Sequence, residues 1–252
     1  MPPKIRVMPT LLFKDVGLVK GIGFDSWRRV GSAMQAVKVY NMREVDELVF
    51  LDISATRESR GPDFETVDEL ADECFMPLTV GGGVRTIEDV RRLLQVGADK
   101  VAINTAAVDN PDLIRQIAQR FGAQCVVVSI DFRGTNGSAE VYTRAGTKQT
   151  GRDPVSWARQ AQELGAGEIL LTSIERDGAM CGYDVEVTAQ VAAAVSIPVI
   201  ASGGAAGYDD MRQVIERANV PAVAAASIFH FTEQTPLEAK CYLREHGIRV
   251  RF

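Results

Sequence analysis

The feature that most constrains this chain is a repeat, because two stretches of sequence recur about half a chain apart. Glu47-Leu-Val-Phe-Leu-Asp-Ile-Ser54 resembles Glu168-Ile-Leu-Leu-Thr-Ser-Ile-Glu175, and Pro77-Leu-Thr-Val-Gly-Gly-Gly83 resembles Pro198-Val-Ile-Ala-Ser-Gly-Gly204. Both pairs are offset by 121 residues in a chain of 252. A repeat of this length indicates two similar halves, each built from the same series of elements.

Short apolar runs alternate with amphipathic stretches of helical periodicity, which is typical of strands in a parallel sheet that is buried on both faces. Four strands per half close naturally into an eight-stranded barrel, whereas a doubly wound sheet gives no reason for equal halves. We therefore predict an α/β fold, a single (β/α)8 TIM barrel over residues 1–252, with half-barrels near 1–122 and 123–252. The predicted strands are Ile5–Leu12, Leu48–Ile53, Met76–Val80, Lys100–Ile103, Cys125–Ile130, Ile169–Ser173, Ile197–Ala201 and Ala222–Ala226.

Composition argues against several classes of protein, although a local basic patch remains possible. The net charge of −5 argues against a nucleic-acid partner or an anionic membrane surface, and no apolar run approaches the ~20 residues that span a bilayer. The N-terminus lacks the apolar core of a signal peptide. Four cysteines, none in a Cys-x-x-Cys pair, indicate reduced thiols in a cytoplasmic protein. We expect no metal and no other cofactor.

Two glycine-rich loops follow predicted strands and precede predicted helices. Gly82 and Gly83 belong to the first, and Gly203 and Gly204 to the second. Glycines let backbone N–H groups approach a phosphate, although they can also simply make tight turns. Symmetric positions in the two halves favour phosphate binding. We predict two cradles that face each other across the barrel mouth, the first completed by Asn104 and Thr105 and the second by Ala226 and Ser227.

Three aspartates end or follow predicted strands, where barrel active sites are found. Asp131 is the strongest candidate for a general acid or base. Asp52 and Asp177 are weaker, because each is equally explained as a helix cap or a loop salt bridge.

Four charged residues begin predicted strands, at the opposite end of the barrel. Two are basic and two acidic, and position alone favours a ring of ion pairs that only stabilises the fold. They are Arg6, Glu47, Lys100 and Glu168.

Nearly the whole chain resembles the HisF family, the cyclase subunits of imidazole glycerol phosphate synthase. The motifs that carry the resemblance are Val19-Lys20-Gly21, Asp46-Glu-Leu-Val-Phe-Leu-Asp-Ile53, Thr79-Val-Gly-Gly-Gly83, Gly97-Ala-Asp-Lys100, Ile103-Asn-Thr-Ala-Ala107, Gly165-Ala-Gly-Glu-Ile-Leu-Leu-Thr-Ser-Ile174, Arg176-Asp-Gly178, Ala201-Ser-Gly-Gly204 and Ser227-Ile-Phe-His-Phe231.

The resemblance implies partners and roles. A HisH-like glutaminase subunit would dock on the N-terminal face of the barrel and send ammonia through it. The four charged residues would then form the gate of that channel, which reverses the interpretation from position alone. The two cradles would bind a bisphosphate, and Lys20 would belong to the loop that covers it.

One catalytic position departs from the family pattern. HisF cyclases use aspartates at the ends of strands one and five, and Asp131 matches the second. The first should follow Pro9 by three residues, where this chain has Leu12. Leucine cannot transfer a proton, so acid–base ring closure would lose half of its machinery. Trp27–Ser32 also diverges from the usual loop, and Ala145 replaces a serine.

The chain combines an intact gate with leucine at position 12. In this combination it resembles the HisF-like branch that accompanies bacterial surface-polysaccharide genes. Three hypotheses therefore remain. The chain conducts ammonia toward a separate sugar amidotransferase that acts on a nucleotide-linked sugar. Alternatively it is an active cyclase of histidine biosynthesis that makes imidazole glycerol phosphate and AICAR, or it binds a phosphorylated ligand and regulates the glutaminase.

Overall fold

The structure is a computed structural model that describes residues 4–15, 17–135 and 137–252. Its strands are β1 (Arg6–Lys14), β2 (Gly17–Ile22), β3 (Asp25–Gly31), β4 (Leu48–Asp52), β5 (Leu78–Gly81), β6 (Lys100–Ile103), β7 (Val126–Arg133), β8 (Glu140–Thr143), β9 (Lys148–Gln149), β10 (Glu168–Ser173), β11 (Val199–Ser202) and β12 (Ala222–Ala225). Its helices are α1 (Ala33–Met42), α2 (Phe64–Glu73), α3 (Ile87–Gln95), α4 (Thr105–Asp109), α5 (Asp112–Phe121), α6 (Pro154–Glu163), α7 (Val185–Ala194), α8 (Tyr208–Ala218), α9 (Ser227–Phe231) and α10 (Pro236–Glu245), with a 3₁₀ turn at Ala123–Cys125.

Eight of these strands form a closed parallel barrel. Their order around the ring is β1, β4, β5, β6, β7, β10, β11 and β12, and β12 pairs with β1 to complete it. Helices connect successive barrel strands on the outside. The prediction of a single (β/α)8 barrel is therefore confirmed, and each predicted strand matches a barrel strand to within three residues at either end.

The barrel has two cores, because side chains on a strand alternate between its two faces. Along β1, Val7, Leu11 and Phe13 point outward and pack against the helices. Met8 points inward, into a smaller apolar cluster that fills the barrel. Both faces are buried, which explains why the sequence of the barrel strands shows so little polar alternation.

The twofold repeat extends to individual contacts. Asp89 caps α3 by accepting the backbone N–H groups of Arg85 and Thr86 at 3.0 and 2.9 Å. Asp210, which lies 121 residues later, caps α8 in the same way. The boundary between the halves near residue 122 stays a prediction, because the closed ring of strands shows no break there.

Two antiparallel hairpins interrupt the βα pattern and were not predicted. β2 and β3 follow β1, with β2 pairing along its upper end, and β8 and β9 follow β7. Both emerge at the C-terminal ends of barrel strands, so they lie over the mouth. None of the helices in the described ranges has the length and apolar content to cross a bilayer.

Phe50→Ala tests the outer core. Phe50 is 2% exposed and its ring lies 5.4 Å from that of Phe13. Truncation should lower the free energy of unfolding by about 3–5 kcal/mol, through lost burial and a cavity. Chemical denaturation measures this. Phe75→Ala is the matched control, since Phe75 is 84% exposed and its loss should cost about 0.5 kcal/mol or less. Equal losses in the two variants would contradict this description of the core.

Candidate active site and the charged ring

A cavity of about 150 Å³ opens at the C-terminal end of the barrel, where the predicted catalytic and phosphate-binding residues meet. Asp131 and Leu12 line the same cavity, as do glycines of both predicted cradles. Phe24 and Trp27 of the β2–β3 hairpin contribute to the wall. The structure thus brings together residues that are far apart in the sequence.

Asp131 lies in this cavity on β7, with few polar partners. Asn104 Nδ2 donates to Asp131 Oδ2 at 2.9 Å, and the Ser129 hydroxyl lies 3.4 Å from Oδ1. Burial raises the pKa of Asp131 to about 7, the negative charge of Asp177 adds to the rise, and the Ser129 hydrogen bond opposes it. A carboxyl group with a pKa near neutrality can both take up and release a proton at physiological pH.

Leu12 forms part of the cavity wall on β1 and is 8% exposed. Its register partner on β4 is Leu51, which also lines the cavity. The nearest acidic residue along the chain, Asp15, is exposed and is not part of the cavity lining. An apolar side chain therefore occupies the position in the cavity wall where the resemblance predicts a carboxylate.

Lys20, on β2, and Asp177, in the loop that follows β10, form a buried ion pair. Lys20 is 1% exposed, and its Nζ lies 2.5 Å from Asp177 Oδ2. Burial raises the pKa of Asp177, and the adjacent ammonium group of Lys20 opposes that rise. The backbone N–H of Gly23 also donates to the Asp177 carbonyl at 2.8 Å. Together these bonds hold the β2–β3 hairpin against the loop that follows β10.

Asp52 has a structural role in this conformation. Its Oδ1 accepts hydrogen bonds from Ser54 and from the backbone N–H of Ala55. Arg60 adds a two-pronged ion pair, at 2.6 Å to Oδ2 and 3.0 Å to Oδ1, and the hydrogen bonds that it donates to Asp52 raise the pKa of Arg60. Of the two interpretations of Asp52, the loop salt bridge is the one that the geometry supports.

In the first cradle, Gly82 and Gly83 have φ angles of 110° and 71°, which favour glycine. A Cβ on Gly82 would also lie 2.3 Å from the Asp52 carbonyl oxygen, so close packing explains this glycine as well. Thr105 Oγ1 accepts the backbone N–H of Arg144 at 3.0 Å, which leaves its own proton free to donate. Asn104 is directed toward Asp131 and thus connects the cradle with the acid.

The second cradle has the same backbone geometry, with φ angles of 88° at Gly203 and 112° at Gly204. A Cβ on Gly203 would lie 2.6 Å from the Ser173 carbonyl oxygen, the counterpart of the contact at Gly82. Ser227 Oγ is buried and has no hydrogen-bond partner within the described ranges, and the same holds for Thr10 Oγ1 and Asn104 Oδ1. All three residues line the cavity. Buried polar atoms without partners are rare, which indicates that a ligand or water satisfies them.

At the opposite end of the barrel, the four predicted charged residues form a closed ring. Arg6 binds Glu47 at 2.8 Å and Glu168 at 3.0 Å. Lys100 binds the same two carboxylates at 2.8 and 3.2 Å. Thr79 Oγ1 donates a further hydrogen bond to Glu47 at 2.7 Å. Each charge in this charged ring thus has two partners of opposite sign.

An apolar layer separates the charged ring from the cavity. Ala102, Leu170 and Ala224 belong both to this layer and to the cavity floor. The members of the layer are Met8, Val49, Ala102, Val127, Leu170, Ile200, Ala222 and Ala224. Along β1, from the base of the barrel to its mouth, four side chains face inward. They are Arg6 of the charged ring, Met8 of the apolar layer, and Thr10 and Leu12 of the cavity.

A comparison with protein families identifies the class of barrel. The family model described as histidine biosynthesis protein matches residues 6–235, which is nearly the whole chain. The chain belongs to this family. The match supports the HisF-type resemblance and a synthase-type function for the barrel. The sugar-amidation branch remains a prediction, and so do the roles of individual site residues.

For this member of the histidine biosynthesis protein family, several contacts of the site were not anticipated from sequence. Asn104 was predicted to bind phosphate but contacts Asp131, and Lys20 is already paired with Asp177.

Among the described residues, no group of three or more His, Cys, Asp or Glu side chains could hold a metal ion. His230 Nε2 lies 3.4 Å from the Thr10 carbonyl oxygen, and burial lowers the pKa of His230.

Asp131→Asn should stabilise the protein at neutral pH and above. The pKa of Asp131 is about 7 in the folded protein and 3.8 as its ordinary value, so unfolding between these pH values releases a proton. Stability of the native chain should therefore fall as the pH rises from 4 to 7, relative to the variant. Because the side chain is partly exposed, we expect a difference of about 2 kcal/mol above pH 7 and almost none at pH 4. Urea unfolding at several pH values measures it, and a pH-independent difference would contradict the raised pKa.

Proposed function

We propose that this barrel is the synthase-type subunit of a glutamine amidotransferase complex, and that it conducts ammonia without catalysing cyclisation. The single observation that carries the proposal is the closed charged ring at one end combined with Leu12 at the other. The ring provides what an ammonia gate needs, while the mouth lacks one of two required carboxylates. Ammonia would then leave the barrel for an acceptor bound at the mouth.

The geometry of the charged ring supports a gate. All four charges are paired, so the closed state is stable and leaves no unpaired ion at the barrel axis. Lys100 is the most exposed member of the ring, and its flexible side chain can rotate away while Arg6 continues to bind both carboxylates. Movement of this one side chain would open the base of the barrel.

The apolar layer supports passage of neutral ammonia. A charged ammonium ion would lose its hydration among these side chains without gaining hydrogen bonds, which is strongly unfavourable. Neutral ammonia bears a far smaller penalty. Three of the eight members of the layer are alanines, Ala102, Ala222 and Ala224, so small side chains surround part of the path.

The base of the barrel also offers a docking surface for a HisH-like glutaminase. Connections from helices back to strands lie on the N-terminal face of this fold. Met42, at the end of α1, is 75% exposed, and Phe75, between α2 and β5, is 84% exposed. Asn41 Oδ1 accepts the backbone N–H of Phe75 at 3.1 Å, which places these two segments side by side, and an exposed apolar patch of neighbouring residues is what marks a protein interface. Both lie on the face that carries the charged ring.

At the mouth, we propose that the two cradles hold a phosphorylated ligand. The unpartnered hydroxyl of Ser227 and the positive φ angles of the glycine loops support this assignment. In the context of the sugar-amidation branch, the ligand is part of a nucleotide-linked sugar, and the ammonia passes to a separate sugar amidotransferase that amidates this sugar. The whole assembly is expected to act in the cytoplasm, without nucleic acid or membrane.

Active cyclisation, to imidazole glycerol phosphate and AICAR, is the alternative that Asp131 favours. The raised pKa of this carboxyl group suits a general acid or base. Both cradles fit a bisphosphate substrate. A regulatory role is compatible with either function, since the same ligand could stimulate the glutaminase.

The decisive experiment supplies the histidine-pathway bisphosphate to the complex with its glutaminase. We expect cyclisation to be about 10²–10⁴-fold slower than in an ordinary HisF protein, because one proton-transfer group is absent. Leu12→Asp should increase the rate, whereas Leu51→Asp, on the neighbouring strand, should not. Cyclisation by the unmodified chain at an ordinary rate would refute the proposal.

Lys100→Met tests the gate. Without Lys100, Glu47 and Glu168 lose their second partner and the base of the barrel can no longer close, so ammonia should escape to solvent instead of passing to the mouth. Amidated sugar formed with glutamine should fall roughly tenfold, while the yield with added ammonium chloride should be unchanged. Lys148→Met, on exposed β9, is the matched control. Equal loss with both nitrogen sources would argue against a gate.

A further inference from the structure

The two cradles have the same backbone but are covered by different elements. The β2–β3 hairpin lies over the second half of the mouth, where Gly21 contacts Gly178 so closely that a Cβ on Gly178 would be 2.0 Å from the Gly21 carbonyl oxygen. No larger residue fits there. Residue 57 is the counterpart of Gly178, 121 positions earlier in the repeat, and it is an arginine.

Arg57 extends over the first half of the mouth. Its Nη2 donates to the carbonyl oxygen of Ala145 at 3.1 Å, although 88 residues separate the two in the chain. Ala145 lines the cavity, and so does Thr56, which precedes Arg57. The guanidinium group is therefore held at the rim of the cavity, and its remaining N–H groups are available to a ligand.

The turn that receives Arg57 is strained and is connected to the first cradle. Arg144 and Ala145 both have a φ of 53°, an unfavourable conformation for residues other than glycine. The backbone N–H of Arg144 donates to Thr105 Oγ1 of the first cradle at 3.0 Å. One turn thus contacts both Arg57 and Thr105, and strain of this kind is concentrated at functional sites.

The cations that cover the two cradles differ in their pairing. Lys20 covers the second half, and Asp177 neutralises it at 2.5 Å. The counterpart of Asp177 in the first half is Thr56, which carries no charge. Among the residues that the structure describes, Arg57 has no carboxylate within 4.0 Å. The first cradle therefore has an unpaired cation above it, while the cation above the second is already neutralised.

We propose that Arg57 is an anion-binding residue that closes over the first cradle and makes it the site for the more highly charged end of a phosphorylated ligand. The ligand group is a doubly charged phosphate, as in a terminal monoester or the end of a diphosphate. The guanidinium group would bind two phosphate oxygens, and Thr105 would donate to a third. This inference rests on the proposed phosphorylated ligand at the mouth, but not on ammonia conduction.

Binding of inorganic phosphate to the full chain tests the proposal. Titration at pH 8, followed by ³¹P NMR, uses orthophosphate as the doubly charged probe and dimethyl phosphate as the singly charged one. Ser227→Ala removes the free hydroxyl of the second cradle, so that binding to the first cradle is observed in that background. Arg57→Gln is then added. Arg115→Gln, which removes an exposed arginine on α5, is the control for general loss of positive charge.

In the Ser227→Ala background, Arg57→Gln should weaken orthophosphate binding about tenfold, as for loss of a charge-assisted pair of hydrogen bonds. Dimethyl phosphate binding should change by less than threefold, and Arg57→Lys should restore part of the loss. An unchanged orthophosphate affinity would overturn the proposal. So would equal losses for the two probes, an equal loss in Arg115→Gln, or no binding of orthophosphate to the native chain. Equal loss with both nitrogen sources in the Lys100→Met experiment would contradict the gate but leave these phosphate-binding results unaffected, so the two proposals can fail separately.

Discussion

Closure of the parallel sheet is the constraint on which the rest of this molecule depends. Once β7 pairs with β10 and β12 with β1, alternate residues of every barrel strand must face a common interior. The interior then acquires an order from base to mouth. Charged residues lie at the strand starts, an apolar layer lies above them, and the cavity lies at the strand ends. No single loop determines this order.

The two halves keep a common backbone while their side chains have diverged. Helix caps and glycine contacts repeat at the same spacing, because they fix the turns that a βα unit needs. The residues exposed to the cavity are not constrained in this way. Leu12 lines the cavity on β1 where Asp131 lines it on β7, and Arg57 takes the place that Gly178 has in the other half. A symmetric scaffold can therefore support an asymmetric site.

The elements that sequence predicts best are those that depend on local pattern. Barrel strands were located by continuous apolar runs, and the glycines of both cradles have the positive φ angles that favour glycine. The charged ring was located because its members each begin a strand. These inferences require only the chain direction and the position of each strand.

Contacts between distant loops could not be predicted, because sequence does not fix how loops cross a barrel mouth. The pairing of Lys20 with Asp177 depends on the hairpin that the apolar pattern did not reveal. Asn104 was assigned to phosphate, yet its side chain turns toward Asp131. The structural role of Asp52 could not be predicted either, because it depends on the ion pair with Arg60, eight residues later in the chain.

The charged ring has a consequence for how this protein can change. It is a cycle of even length in which positive and negative groups alternate, so each member separates two groups of the opposite sign. Substituting one member leaves its two neighbours, which are alike in charge, facing a gap in a region with little water. The charged ring should therefore tolerate the simultaneous substitution of two members of opposite charge far better than the substitution of one member. The four positions should therefore be inherited as a unit, even in a lineage where the chemistry at the mouth has been lost.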